Sequence, residues 1–300
     1  MTFESVLSGL KSLKVQGAEN VAKTAVDAMY KLLHSSKAHT AKELLKELRQ
    51  AEALLLETRP TEPCMRNALS YILKDIPQDD LVLATRKLIV NIKQVKSHFD
   101  YAHERIVDYG ARKISNEQVI FTHCHSSTVV AILIRAKREG KKFEVHNTET
   151  RPLYQGRITA KELSDAGIKV THYIDSAARQ ALKKADLCLF GADAIQSDGF
   201  VINKIGTELY AEIAKGYDIP TFFCTDSWKF DPKSLYGIDE RIEKRAAGEV
   251  WEHPPKNVKI LNPAFERVHA SLVTGIISEL GVYRPSAFVE EVKRAYPWLN

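Results

Sequence analysis

Hydrophobic positions in the first part of the chain recur every three to four residues, which is the spacing of one helix face. Pro60 and Pro63 interrupt this pattern, residues 67–72 predict a further short helix, and residues 80–113 predict one long helix. The pattern therefore predicts a helical N-terminal domain over residues 1–115. The two most regular runs are Val21, Ala25, Ala28, Met29 and Leu32, and then Leu44, Leu45, Leu48, Leu54 and Leu55.

The residue pattern changes after residue 115, where short runs rich in β-branched and aromatic residues alternate with longer segments. This rhythm is typical of βαβ units and predicts an α/β domain with a mainly parallel sheet over residues 116–300. Asp198-Gly199 predicts a hairpin, residues 207–215 predict a helix, and residues 258–261 are a further candidate strand. The five main predicted strands are residues 119–122, 143–146, 170–174, 187–190 and 221–224.

Polar clusters follow the predicted strands. In an open parallel sheet the carboxyl ends of the strands line the ligand-binding crevice. The positions of the clusters therefore predict a site around Cys124, Arg151, Asp175 and Asp193. The alternative is that these residues form the ordinary polar loops that end strands in any α/β protein.

Composition narrows the class of protein. The chain has 300 residues, 44% hydrophobic and 27% charged, which is typical of a globular protein with a substantial core. Its four cysteines form no C-x-x-C pair, and neither a signal peptide nor a membrane-length apolar run is visible, so we expect a cytoplasmic protein. The net charge of +5 suits a phosphorylated ligand, but no basic block is dense enough to predict nucleic-acid binding.

Motifs for dinucleotide binding, nucleotide phosphoryl transfer, zinc hydrolysis and serine hydrolysis are absent from the sequence. Cys124 lies between His123 and His125, but neighbours on a strand point to opposite faces, so neither histidine is well placed as its base. The two histidines share a face without a third metal ligand. A thiol that faces a helix N-terminus after a strand has a lowered pKa, which predicts proton exchange at Cys124.

Other candidates have a structural and a functional interpretation. Asp193 lies among apolar residues, which predicts a raised pKa for its carboxyl, or it is a turn aspartate that caps a backbone amide. Lys204 precedes a predicted helix start that attracts phosphate, or it is a surface lysine beside an ordinary helix. Lys229 lies between aromatic residues as a phosphate ligand or as a surface residue. Gly17-Ala18 opens a helix and either approaches a ligand or only starts that helix.

Taken in order, five segments resemble the superfamily that joins the alpha, beta and delta subunits of initiation factor 2B to sugar-1-phosphate isomerases. Two more segments, 262–265 and 284–286, extend the resemblance over nearly the whole chain. The resemblance implies a helical N-terminal domain followed by a Rossmann-like domain, in agreement with the pattern above. The five segments are 122–127, 148–152 with 155–156, 175–177, 191–193 and 203–207.

Within that superfamily, Cys124 and Asp193 fill the positions of the isomerase catalytic pair, which the eukaryotic regulatory subunits generally lack. The residues around Cys124 resemble the archaeal ribose 1,5-bisphosphate isomerase branch more than the methylthioribose-1-phosphate isomerase branch. The resemblance implies conversion of ribose 1,5-bisphosphate to ribulose 1,5-bisphosphate in AMP breakdown. We hypothesise that Cys124 is the base at carbon and Asp193 the acid/base at oxygen, without a metal or another cofactor.

The resemblance also implies a set of substrate-binding positions. To them we add Arg151 from the strand-end pattern, and Gln16, which stands where the family's enzymes usually have arginine. Glu62 is a second departure, because it places an acidic residue close in sequence to a predicted phosphate ligand, Arg59. The implied positions are Gly17, Ala18, Arg59, Ser126, Ser127, Thr128, Asn203, Lys204 and Lys229.

Two alternatives remain open at the level of sequence. One is a non-catalytic regulatory subunit that binds a sugar phosphate or nucleotide and docks on a translation factor. The other is an isomerase for a different sugar phosphate, of the methylthioribose-1-phosphate type. The resemblance also implies a homo-oligomer, a dimer or a hexamer, and leaves room for a nucleotide effector; neither nucleic acid nor a membrane is an expected partner.

Overall fold

A computed structural model describes residues 2–15, 17–238 and 242–299 of the chain. It divides into two compact units, Met1–Ala102 and His103–Asn300. The long helix Leu81–Ala111 crosses this division, and the predicted domain boundary at residue 115 falls just after the end of that helix. No helix in the described part of the chain combines the length and hydropathy needed to cross a membrane.

The first unit is helical, as the periodicity predicts. Thr40 caps the third helix by accepting a hydrogen bond from the Glu43 N–H at 3.2 Å, while the Glu43 carboxylate accepts from the N–H of His39 at 2.9 Å. The periodic positions mostly face inward, but Leu54 is an exception, with 45% of its surface exposed. The helices are α1 (Phe3–Lys11), α2 (Ala18–Ser35), α3 (Ala41–Thr58), α4 (Pro63–Ile72) and α5 (Leu81–Ala111).

The second unit alternates strands and helices. All five main predicted strands are present, although the bounds of three shift by one or two residues. The strands are β1 (Gln118–Thr122), β2 (Phe143–Thr148), β3 (Lys169–Tyr173), β4 (Leu187–Phe190), β5 (Ala194–Ile195), β6 (Val201–Lys204), β7 (Thr221–Cys224), β8 (Phe265–Val268), β9 (Gly275–Ser278) and β10 (Gly281–Tyr283). The helices are α6 (Ser127–Arg138), α7 (Gln155–Asp165), α8 (Ala178–Leu182), α9 (Thr207–Gly216) and α10 (Pro285–Ala295).

One predicted strand is wrong. Residues 258–261 form no strand, and Leu261 is 73% exposed, whereas β8 begins at Phe265 and pairs antiparallel with β6. Residues of β8 pack their apolar side chains on the β5–β6 hairpin, which is turned by Asp198-Gly199 as predicted. Alternation alone cannot distinguish an exposed apolar run from one that finds a pairing partner.

The main sheet has seven strands in the order β10-β9-β7-β4-β1-β2-β3, and all its neighbours are parallel except β9 and β10. The strand order reverses between β1 and β4, because the chain proceeds from β1 to β2 on one side and from β4 to β7 on the other. Such a reversal opens a crevice at the carboxyl ends of the two strands. The architecture therefore has one preferred place for a ligand, after Thr122 and after Phe190.

Two glycines permit close approaches beside this crevice. A Cβ on Gly191 would lie 2.8 Å from Ser126 Oγ, and a Cβ on Gly156 would lie 1.7 Å from the carbonyl oxygen of Thr148. The second distance involves backbone on both sides, so no side-chain rotation relieves it. Gly156 thus lets α7 begin directly against the end of β2.

We expect Gly156→Ala to destabilise the protein by about 3 kcal/mol or more, because the added methyl group must displace backbone. The matched control is Gly216→Ala, where a Cβ meets nothing within 4 Å. Denaturant midpoints of the two variants and the wild type are the measurement. A Gly156→Ala protein with the midpoint of the control would show that α7 and β2 lie farther apart than described.

Candidate active site

Cys124 and Asp193 lie at the reversal point of the sheet. The pairing of Phe121 with Cys188 puts β1 and β4 side by side, so Cys124 and Asp193 follow neighbouring strand ends. Both side chains are half-buried. Cys124 has φ 64°, in the left-handed region that residues with a side chain rarely adopt. Such strained residues cluster at functional sites, which favours a functional role for Cys124.

Threonine hydroxyls hold the backbone of Cys124 in this conformation. The Cys124 N–H donates to Thr150 Oγ1 at 3.0 Å, and Thr159 Oγ1 donates to the Cys124 carbonyl at 2.9 Å. Thr150 follows β2 and itself has φ 62°. The cysteine is therefore held by the segments that follow its neighbouring strand rather than by its own strand alone.

Asp175 fixes the loop that contains Thr150. Its two carboxylate oxygens accept the N–H groups of Thr150 at 2.9 Å and Arg151 at 2.7 Å, and the Tyr210 hydroxyl lies 3.3 Å from Oδ1. The strand-end pattern predicted Asp175 near the site but not this role. Because it spans from the end of β3 to the end of β2, Asp175 joins two of the loops that line the crevice.

The predicted lowering of the Cys124 pKa is wrong. Burial raises the pKa of the Cys124 thiol to about 11, and the carboxylates of Asp193 and Asp175 add to the increase. The Lys204 ammonium and the His125 backbone N–H oppose it. The site thus holds Cys124 mainly as a neutral thiol at neutral pH. Burial and nearby carboxylates outweigh the helix terminus on which the prediction relied.

Two lysines approach Asp193 from two segments. The Asp193 N–H donates to the Ile202 carbonyl at 2.9 Å, so the β5–β6 hairpin returns Asn203 and Lys204 beside it. Lys229 is buried, and its ammonium donates to the carbonyl of Ala192 at 2.7 Å. Two separate stretches of chain therefore bring a lysine to the segment that contains Asp193.

The two helix starts beside the crevice differ in their occupancy. At the start of α6, the Ser126 side chain caps the helix by accepting from the Val129 N–H at 3.3 Å. At the start of α9, the Glu266 carboxylate accepts the Glu208 N–H at 2.7 Å. Burial raises the pKa of this carboxyl, and backbone hydrogen bonds from Glu208 and Gly206 oppose the increase. The hypothesis of a phosphate at the α9 start therefore needs correction, because an internal carboxylate occupies it.

The other predicted binding residues of the second unit have defined partners. Asn203 Nδ2 donates to Thr207 Oγ1 at 3.0 Å, so its amide supports the loop after β6. The Arg151 guanidinium is exposed and donates to Tyr154 OH at 2.6 Å and to the Val250 carbonyl at 3.2 Å. Ser127 is exposed at the start of α6, and Thr128 is buried in its first turn.

The remaining predicted residues belong to the first unit. Gly17 has φ 84° and precedes α2, whose first residue, Ala18, is buried. Arg59 is buried in an ion pair with Glu62, with Arg59 Nη2 and Glu62 Oε1 2.6 Å apart, and its Nη1 lies 3.5 Å from the Val15 carbonyl. Glu62 therefore neutralises the arginine predicted to bind phosphate. Gln16 lies outside the described residues.

The histidines around Cys124 are engaged in hydrogen bonds. His123 contacts Thr148 Oγ1 at 2.6 Å and the Ile205 carbonyl at 3.0 Å, and His125 contacts Thr159 Oγ1 at 3.1 Å. Sequence reasoning considered both only as bases or metal ligands and missed these contacts. The threonines at the end of β2 and after it, Thr148, Thr150 and Thr159, were the available signal, because buried hydroxyls require partners.

Comparisons with known proteins place the chain in a family. It belongs to the initiation factor 2 subunit family, whose model matches residues 14–285. A ribose 1,5-bisphosphate isomerase of Thermococcus kodakarensis is 37% identical and aligns with 96% of this chain and 93% of its own. A methylthioribose-1-phosphate isomerase of Symbiobacterium thermophilum is 31% identical and aligns with 98% of this chain and 88% of its own.

Solved structures agree with this placement. A translation initiation factor eIF-2B from Pyrococcus horikoshii OT3 superposes with a TM-score of 0.84 at 27% identity, covering 96% of this chain and 98% of that one. A 5-methylthioribose 1-phosphate isomerase from the same organism superposes with a TM-score of 0.80 at 27% identity, covering 98% and 88%. The predicted resemblance and the predicted fold class are both confirmed.

The electrostatics of Cys124 can be tested by alkylation. Asp193→Asn removes a charge that raises the thiol pKa, so we expect alkylation of Cys124 at pH 7.5 to accelerate by about threefold or more. Lys204→Gln removes an opposing charge and should slow it by a similar factor. Mass spectrometry of the Cys124 peptide measures both rates.

Lys184→Gln is the control for the lysine variant, because Lys184 is an exposed lysine that does not affect the Cys124 pKa. In the wild type the rate should rise about tenfold per pH unit up to the thiol pKa. A plateau near pH 7 would contradict the raised pKa.

Proposed function

We propose that the protein is an aldose–ketose isomerase that converts ribose 1,5-bisphosphate to ribulose 1,5-bisphosphate. Its class, an intramolecular oxidoreductase acting on a sugar phosphate, is the class that the relatives named as isomerases share. The observation that supports the proposal most strongly is the convergence of Cys124 and Asp193 on the sheet reversal, with Lys204 and Lys229 beside them. The charge of the two lysines suits a phosphorylated sugar, and the pentose is proposed from the relatives named as isomerases.

The raised thiol pKa suggests how the pair shares its protons. Burial is the main reason why the pKa of Cys124 is raised, and the Asp193 carboxylate adds to the increase, so moving the thiol proton to Asp193 removes one of the contributions that disfavour the thiolate. The resulting state holds an acid, Asp193, and a base, the Cys124 thiolate, without taking a proton from solvent. Both groups that a proton-transfer isomerisation needs are then present together.

The proposed steps balance within the active site. Asp193 donates its proton to the ring oxygen as the C1–O4 bond of the furanose breaks, and the Cys124 thiolate removes the proton from C2. The enol that results is reprotonated at C1 by the Cys124 thiol, while Asp193 takes the proton from the oxygen on C2. The ketose leaves the pair with the single proton that it held at the start, and no metal or other cofactor enters this scheme.

Two phosphate groups require cationic partners. Lys204 is the last residue of β6, Lys229 is buried beside Ala192, and the α6 start contributes backbone N–H groups near Ser127 and Thr128. These donors come from three separate segments of the second unit, which suits a ligand that is anionic at both ends. Arg151 contributes less in this proposal, because its guanidinium binds Tyr154 and the Val250 carbonyl.

A regulatory subunit is the second candidate function, and one observation favours it. The buried ion pair of Arg59 with Glu62 neutralises a cation that the isomerase hypothesis assigns to phosphate. A regulator would bind a sugar phosphate or nucleotide without turnover. The homo-oligomer, the nucleotide effector and the cytoplasmic location stay predictions under both functions.

The proposal predicts turnover of ribose 1,5-bisphosphate by the wild type, with kcat reduced by about a hundredfold or more in Cys124→Ser and in Asp193→Asn. Each variant removes one of the two proton-transfer groups and leaves the lysines in place. Formation of ribulose 1,5-bisphosphate, followed by NMR in deuterated water, also reports exchange of the transferred hydrogen. Lys184→Gln serves as the control for handling and folding.

Three outcomes would redirect the assignment. Turnover that survives either substitution would contradict the role of the pair. A strong preference for methylthioribose 1-phosphate would support the other isomerase branch. Tight binding of ribose 1,5-bisphosphate without conversion would support the regulatory subunit.

A further inference from the structure

His123 is a buried histidine that the proposed chemistry does not use. It follows β1 directly, precedes Cys124 and is 2% exposed. Its ring touches two segments that are distant in sequence, the end of β2 at Thr148 and the loop after β6 at Ile205. The ring therefore lies between the end of β2 and the turn that follows Lys204.

The partners determine the tautomer of the ring. The Ile205 carbonyl can only accept, so Nε2, at 3.0 Å, must have the hydrogen. Burial lowers the pKa of His123 to about 4, so the ring is neutral and Nδ1 is an acceptor. Nδ1 lies 2.6 Å from Thr148 Oγ1 and 3.3 Å from Thr150 Oγ1. Thr150 Oγ1 in turn accepts the Cys124 N–H.

The surroundings leave the ring little freedom. The Tyr210 ring lies 4.6 Å from the His123 ring, measured between centroids. Gly206 has φ 100°, and a Cβ there would lie 3.3 Å from His123 Nε2. The turn at Ile205 and Gly206 therefore passes close to the imidazole, and the glycine permits the left-handed backbone there.

We propose that His123 is a positioning residue for Lys204, holding the loop after β6 at a set distance from Cys124 through its hydrogen bond to the Ile205 carbonyl. The inference rests on the proposed function, in which Lys204 binds a substrate phosphate. Ile205 is the next residue after Lys204, so the bond acts within one peptide unit of the ammonium-bearing residue. His123 itself contacts no reacting atom in this scheme.

Two substitutions separate the two hydrogen bonds of the ring. In His123→Gln the amide Nε2 can occupy the position of the histidine Nε2 and donate to Ile205. In His123→Asn the shorter side chain can occupy only the Nδ1 position and keeps the contact with Thr148. We expect His123→Asn to raise the KM for ribose 1,5-bisphosphate about tenfold with a smaller change in kcat, and His123→Gln to stay within about threefold of the wild-type KM.

The control variant is His146→Gln, because His146 is also buried and bonds the Ala181 carbonyl through Nδ1 at 2.8 Å, a position that the glutamine amide does not reproduce. It measures the general effect of replacing a buried histidine in this sheet. Equal KM increases in His123→Gln and His123→Asn, or an increase in His146→Gln equal to that in His123→Asn, would overturn the proposal. So would a loss of kcat in His123→Asn with an unchanged KM.

Hydrogen exchange tests the proposal without turnover. The amides of residues 205–210 should exchange faster in His123→Asn than in the wild type and close to the wild-type rate in His123→Gln. Unchanged exchange in His123→Asn would show that His123 does not hold the loop, whatever the substrate. If the wild type fails to convert ribose 1,5-bisphosphate while exchange follows this pattern, the proposed function fails and the positioning role stands.

The wild type also allows a test if the variants do not fold. Long-range proton–nitrogen NMR correlations of the His123 ring should show a neutral imidazole with its hydrogen on Nε2. A hydrogen on Nδ1, or a doubly protonated ring at pH 7, would be incompatible with the Ile205 bond as described and would overturn the proposal.

Discussion

The parallel pairing of β1 with β4 is the constraint on which the candidate site depends. The register that matches Phe121 with Cys188 brings two strand ends together that are separated by more than sixty residues in sequence. Because the chain leaves these strands in opposite directions, the loops after them diverge and open a crevice. Gly191 allows the Ser126 side chain to approach within a distance that a Cβ would forbid. Cys124 and Asp193 can therefore share one small space.

Charge balance in that space determines what the cysteine can do. Burial and two carboxylates favour the thiol, while Lys204 and the His125 N–H favour the thiolate. A cysteine in this environment is a poor free nucleophile, and in the proposed function it becomes a base only by giving its proton to Asp193. The same low-polarity surroundings keep His123 neutral, so its ring is available as a fixed donor and acceptor between the loops.

Internal carboxylates organise the loops around the crevice. Asp175 accepts the backbone N–H groups of Thr150 and Arg151, and Glu266 accepts that of Glu208 at the start of α9. These positions are the kind of backbone donors that bind phosphate elsewhere, but here they hold the loops to the protein itself. In the proposed function, phosphate recognition in the second unit consequently depends on the lysines and on the start of α6.

The sequence by itself determined the helical first part, five of the seven strands of the main sheet, the hairpin at Asp198-Gly199 and the strand-end residues Cys124 and Asp193. These features depend on local periodicity, turn residues and the order of elements, all of which are visible along the chain. Only the tertiary structure decided that β8 begins at Phe265, that Glu266 occupies the α9 start and that the pKa of Cys124 is raised. Strand pairing, burial and charge interactions join residues that are far apart in sequence, and no local pattern records which of them will meet.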